Sequence, residues 1–177
     1  MVPSTRKVNR VIGLFAVNSC VMFGRTGVCA ITDIRTGELI GKPESQYYIL
    51  RPVYSADVAI MAPVDKQRLM IRELISKQEV ISLIDAMPAQ EEIWYDDDKL
   101  RNEKFTAALN SGLCKEWITL IKSLLHKSDE KISIGKKLSQ TDQNVLKDAK
   151  KLLYEEFSYS LDMPFNEVES YIANRIS

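Results

Sequence analysis

Two aromatic residues, three acids and then a set of cations, Trp94-Tyr95-Asp96-Asp97-Asp98 running into Lys99, Arg101 and Lys104, form the stretch best equipped for chemistry. A broad indole beside cationic side chains suits contact with nucleic acid, because the ring can stack on or wedge between bases while the cations hold phosphates. Unstacking a base step costs a few kcal/mol, and stacking an aromatic ring on an exposed base returns roughly 1–3 kcal/mol, so such a site favours a partly open fork over an intact duplex. The same residues also fit a plainer role, an aromatic anchor packed at the foot of a helix, and spacing alone leaves both open. Trp117 sits in a stripe with Leu120, Ile121 and Leu124 and reads as core.

A second cationic group supports the binding reading. Lys136 and Lys137 precede Ser139, which is placed to cap a helix carrying Lys147, Lys150 and Lys151. Loop amides, a helix N-terminus and two ammonium groups can act together on one phosphate, which gives affinity without sequence choice. Charge is distributed accordingly. The chain is neutral overall, yet residues 99–151 hold twelve Lys and Arg against six acids, while residues 91–98 hold five acids and no cation. A basic run flanked by acidic ones is the footprint of an anion-binding face on a neutral protein, and equally of solvated helix faces.

Catalytic constellations are not recognisable. His126 is the only histidine, and its place beside Lys127 near a helix end is explained by the terminal carbonyls. Asp96, Asp97 and Asp98 are contiguous, so they cannot all converge on one Mg²⁺, and they suit a helix N-terminus. Gly24 and Gly27 lie in a turn with no helix after it, unlike a phosphate loop. No catalytic residue, metal site or cofactor is expected, and the chain is not expected to be an enzyme. Cys20, Cys29 and Cys114 are odd in number and unclustered, which implies a reducing, cytoplasmic setting, although Cys20 and Cys29 could face each other across a hairpin. The early apolar run Val11 to Val17 is too short to span a bilayer, so no membrane association is expected.

The positioning elements follow from period. At 45% hydrophobic residues the chain folds, as one domain or two small ones. Strands are predicted over Phe15 to Phe23, Val28 to Arg35, Gln46 to Val53, Val58 to Ala62 and Leu69 to Arg72, with the turn Gly24-Arg25-Thr26-Gly27 joining the first two and Pro63 stopping the fourth or placing it at an edge. Five short strands and tight turns predict a bent antiparallel sheet or partly closed barrel. Ser76-Lys77-Gln78-Glu79 has capping-box form, and a helix should run from it to Met87. Ala89 to Asp98 reads as a linker. Further helices are predicted over Asp98 to Asn110, Lys115 to His126, Ser139 to Leu161 and Pro164 to Ile172, with Ile132 to Leu138 a basic loop, so the class is α+β. The first dozen residues read as an arm outside the fold.

The ordered segments FAVNSCVMFGRTGVCAITDI, YYILRPVY, PVD, RELISKQEV, Trp94, KLRNEKFTAALNSG, CKEWITLIKSLL and GKKLSQTDQNVLKDAKKLLYEEFSYSLDMPFNEVESYI resemble the bacterial CarD/CdnL family of transcription regulators over about residues 15–173. The resemblance implies a Tudor-like barrel over residues 13–75 that binds the RNA polymerase β subunit, a connecting helix and linker over 76–98, and a helical DNA-binding domain over 99–177. It further implies that Trp94 is a minor-groove wedge at the upstream fork of the transcription bubble. Tyr95, Lys99, Arg101, Lys104, Lys136, Lys137 and Lys147 would then face promoter DNA, and Arg35, Val58, Ala59, Ile60, Met61 and Pro63 the polymerase. The barrel also resembles the polymerase-binding module of the transcription-repair coupling factor, whose motor domains this chain is too short to hold. Met61 stands where many relatives place Arg, and Asp96 to Asp98 where others have basic residues. A monomer suffices for this role.

Overall fold

The computed structural model describes residues 15–38, 41–55, 58–64 and 71–177. Among the described residues, five antiparallel strands are followed by five helices. The strands are β1 (Cys20–Phe23), β2 (Gly27–Gly37), β3 (Lys42–Pro52), β4 (Ile60–Pro63) and β5 (Ile71–Glu73), in spatial order β4-β3-β2-β1-β5. Among the described residues no ladder joins β4 to β5. The predicted antiparallel sheet is therefore present as an open sheet, and closure into a barrel is not seen.

The β1–β2 turn forms as expected, with Gly24 and Gly27 both at positive φ and Thr26 N–H donating to the Phe23 carbonyl at 3.0 Å. β1 is shorter than predicted because Asn18 takes a left-handed conformation, φ 70°, which breaks the extended run from Phe15. The predicted loop after Thr36 narrows, since β2 and β3 continue to a Gly37–Lys42 pairing. Pro63 ends β4, an edge strand paired among the described residues with β3 alone, where a missing N–H is tolerated. The expected arm and residue Leu69 lie outside the described residues.

Alternation along the strands divides the apolar side chains between two cores. Val21, Phe23, Cys29, Ile31, Tyr48 and Leu50 gather on one face into a small core of the sheet's own. Met22 and Val28, one residue out of phase, join the helical core instead. The same phase separates two thiols: Cys20 pairs with Ala30 and Cys29 with Val21, so they occupy opposite faces and are free.

The helices are α1 (Lys77–Ala86), α2 (Asp98–Asn110), α3 (Cys114–Ser133), α4 (Gln140–Leu161) and α5 (Val168–Ile176), with 3-10 turns at Met87–Ala89 and Phe165–Glu167. Local signals placed three starts correctly. Ser76 and Glu79 form the capping box of α1, Asp97 caps α2 through Leu100 N–H, and Ser139 caps α4. α3 extends two turns beyond His126, so Ile132 is helical and not in a loop. The last helix starts later than predicted because Pro164 opens a 3-10 turn first.

Helix α4 fastens the sheet to the helices. Glu156, fully buried, receives both terminal nitrogens of Arg72, at 2.5 and 2.7 Å, and the Ile75 N–H at 3.0 Å. Arg72 Nε also donates to the Gly112 carbonyl at 2.6 Å. Glu155 accepts from the Val28 N–H at 3.1 Å, Tyr54 Oη lies 3.0 Å from Ser158 Oγ, and Ser160 donates to the Ile75 carbonyl. Among the described residues no helix is long and apolar enough to cross a membrane.

Candidate functional site

The stretch predicted to be a linker is a strap pinned across α3. Lys122 Nζ donates to the carbonyls of Pro88 and Gln90 at 2.9 and 2.6 Å, ending the 3-10 turn as a cation ends a helix. Gln90 Nε2 donates to Thr119 Oγ1 at 2.8 Å, Ile93 N–H donates to Ser123 Oγ at 2.8 Å, and Glu92 meets His126. These bonds fix the backbone that carries Trp94 and Tyr95.

Both rings then pack edge-on against Phe105 of α2, with centroids 6.2 and 6.3 Å away. Trp94 is half-buried. Two cations lie over its ring, the Arg101 guanidinium carbon 4.4 Å from the centroid and Lys127 Nζ at 5.3 Å. Such contacts draw a cation to the negative face of the ring, by about 0.5–1 kcal/mol at exposed sites and about 2 kcal/mol or more where the cation is desolvated, as Arg101 is. Trp94 therefore serves as a packing anchor against α2, and the residue stays only partly buried. Lys127 was not anticipated as its neighbour, because a contact between a strap residue and a helix thirty-three positions later leaves no local pattern.

Arg101, expected among the phosphate-binding cations, is instead an internal residue, 5% exposed. It donates to both carboxylate oxygens of Asp142 at 3.1 and 3.2 Å, to the Tyr95 carbonyl at 2.8 Å and to Asp98 at 2.5 Å. The correction has a physical cause: Asp142, buried in the first turn of α4, needs a paired cation. Hydrogen bonds to Asp142 and Asp98 outweigh the opposing effect of burial and raise the Arg101 pKa further above its already high ordinary value. Tyr95 accordingly contributes its carbonyl to the interior as well as its ring.

The N-terminus of α4 is also filled. Ser139 Oγ accepts from the Asp142 N–H at 3.1 Å and lies 2.7 Å from its carboxylate, while the Lys136 N–H is used by the Lys131 carbonyl at 2.8 Å. Two amides of the expected cradle, those of Lys136 and Asp142, are therefore used by the chain itself. What remains outward is side-chain charge: Lys99, Lys104, Lys136, Lys137 and Lys147 are exposed, and none makes an ion pair among the described residues. Asp97 and Asp98 act as cap and ion-pair partner, and no group of three or more His, Cys, Asp or Glu among the described residues could hold a metal ion.

In the sheet, β3–β4 pairing aligns Met61 with Ile49 and Pro63 with Tyr47, which in turn faces Arg35 on β2. Arg35 is exposed and bonded to Asp33 at 2.7 Å. Val58 and Met61 are 63% and 40% exposed. The outer edge of β4 has no strand partner among the described residues, so it offers backbone groups and apolar side chains together. Ile60 turns partly toward the sheet's core, and Ala59, exposed, precedes the strand.

Residues 15–75 match the CarD-like/TRCF RID domain family. The chain carries a CarD-like/TRCF RID domain. Among curated proteins, none matches the chain. The RID segment contains all five strands, the open β4 edge and Arg72, whose guanidinium reaches α4. It stops just before the Ser76 cap of α1, so the strap, Trp94 and the exposed lysines lie beyond it.

Proposed function

We propose that this protein is a non-enzymatic transcription regulator, monomeric and cytoplasmic, that docks on the β subunit of RNA polymerase through the RID domain and acts on promoter complexes through its helical unit. The match over residues 15–75 carries the first half of this reading, and the open β4 edge supports it: a partner strand can add there, with Val58 and Met61 giving apolar contact and Arg35 a charge. Met61→Glu places a charge on an exposed side chain and should leave the fold intact while weakening capture of the β subunit by full-length protein about tenfold or more. Unchanged capture would remove β4 from the interface.

The second half is contact with promoter DNA at the upstream edge of the bubble. The accessible part of Trp94 would meet the minor groove, and Lys99, Lys104, Lys136, Lys137 and Lys147 would supply sequence-independent phosphate contacts. Tethering to polymerase raises the local DNA concentration enough for a weak surface to act. Trp94→Ala should still bind polymerase but shorten the open-complex lifetime, and an unaltered lifetime would refute the wedge. An adaptor reading, in which the helical unit binds protein and not DNA, is favoured by the internal use of Arg101 and by the Ser139 cap on the Asp142 N–H of α4. Charge reversal at Lys136 and Lys137 separates the two, since only a DNA binder loses affinity for all sequences and shows a shallower salt dependence.

A further inference from the structure

The extra length of α3 builds a surface that the strap does not share. A groove of about 810 Å³ lies between its last turns and α4 and reaches Phe165 and Glu169. Helix α4 lines it with Gln143, Leu146, Lys147, Lys150, Lys151 and Tyr154. These positions form one stripe, about 16 Å long at 1.5 Å per residue, the length of three helical turns. Ile132, Leu138 and Phe165 complete an apolar lining, and Ile132 is 61% exposed. Lys150 and Lys151 are paired with Glu169 and Glu155, whereas Lys137 and Lys147 are exposed on the groove and pair with no carboxylate among the described residues.

We infer that this groove receives an amphipathic helix from a partner protein, with apolar anchors on Ile132, Leu146 and Tyr154 and acidic side chains on Lys137 and Lys147. Charge and surface type select this occupant together. A nucleic-acid backbone would satisfy the lysines yet leave the apolar lining wet, while a neutral apolar helix would leave two unpaired ammonium groups beside it. An acidic amphipathic helix matches both, with anchors repeating at i, i+3, i+4 and i+7 along a groove of the right length. The inference rests on the adaptor reading, in which Lys137 and Lys147 meet protein and not promoter phosphates, and it names that reading's site and the chemistry of its partner.

The test uses the full chain and a fluorescein-labelled synthetic helical peptide of about four turns with Leu at i, i+3, i+4 and i+7 and Glu beside them. Its controls are a peptide of the same composition with the Leu periodicity shuffled, and a DNA duplex. Fluorescence anisotropy should give at least about tenfold tighter binding to the patterned peptide than to the shuffled one. Ile132→Ser and Lys147→Glu should each weaken patterned binding about tenfold, and Ile132→Ser should leave duplex binding unchanged. Ile132 is exposed, so its variant keeps the native circular dichroism spectrum. Equal binding of both peptides, or indifference to Ile132→Ser, overturns the proposal. So does self-association on sedimentation that Ile132→Ser abolishes, because the occupant is then a second copy. Both substitutions lie outside the RID domain, so polymerase capture by the same variants reports separately on the polymerase-binding reading.

Discussion

Arg101 shows how one side chain can be misread from its neighbours. Lys99, Arg101 and Lys104 share a short helical stretch, and nothing near them in sequence distinguishes the buried member from the exposed ones. The distinction comes from Asp142, forty-one residues later, whose carboxylate is 5% exposed and bonded to the guanidinium. Removing the cation strands that carboxylate without a partner, so Arg101→Met should destabilise the protein by about 3–5 kcal/mol in urea denaturation. Lys99→Ala, on an exposed side chain, should stay within about 0.5 kcal/mol of the native protein. Comparable small losses for both would mean that the Arg101 network is not formed. Trp94 was more legible, because a bulky aromatic at the head of an acid-capped helix announces some local role, although the cations flanking it arrive from two different helices.

At the scale of elements, boundaries that depend on local chemistry were readable and those that depend on distant partners were not. α4 begins where Ser139 predicts and α2 begins in the acidic run that suits a helix N-terminus, with Asp97 as its cap, because a cap needs only a side-chain oxygen and an amide three residues on. α3 outruns its apolar stripe. Beyond Leu125 it is polar, held on its exposed surface by pairs such as Lys127–Glu130 at 2.7 Å, and a stripe-based reading stops too early. The strap looked like a linker because its anchors, Thr119, Lys122 and Ser123, belong to another element. Ser139 does two jobs at once, capping α4 and bonding the carboxylate that holds Arg101. Ser139→Ala should therefore cost about 2 kcal/mol by thermal or urea unfolding, at the upper end of the cap range, whereas Ser76→Ala, at an exposed capping box, should cost about 1 kcal/mol. Equal costs would show that Ser139 serves the cap alone.

For the molecule as a whole, two parts were visible in the change of hydrophobic period at Ser76, but the joint between them was not. Glu155 and Glu156 lie outside the apolar stripe from which the long helix is read, and both are buried against the sheet. Gly27 makes room for the first of them: a Cβ there would lie 1.9 Å from Glu155 Oε2, and its φ of 102° already disfavours a side chain. Burial raises the Glu155 pKa above the ordinary glutamate value, with Lys151 and the Val28 N–H opposing the shift. A carboxyl whose folded-state pKa is raised adds stability below its unfolded pKa and loses that contribution as pH rises through the folded value. Glutamine at this position cannot ionise and escapes the loss. The stability difference between Glu155→Gln and the native protein should therefore move in favour of the variant between about pH 4 and about pH 7, followed by urea denaturation at each pH. A difference that stays constant over that range, or moves the other way, would mean that the joint holds Glu155 as a well-solvated or fully compensated anion. Sheet and helices would then be coupled chiefly through Arg72 and Glu156, where hydrogen bonding and charge from the glutamate raise the arginine pKa against the opposing effect of burial.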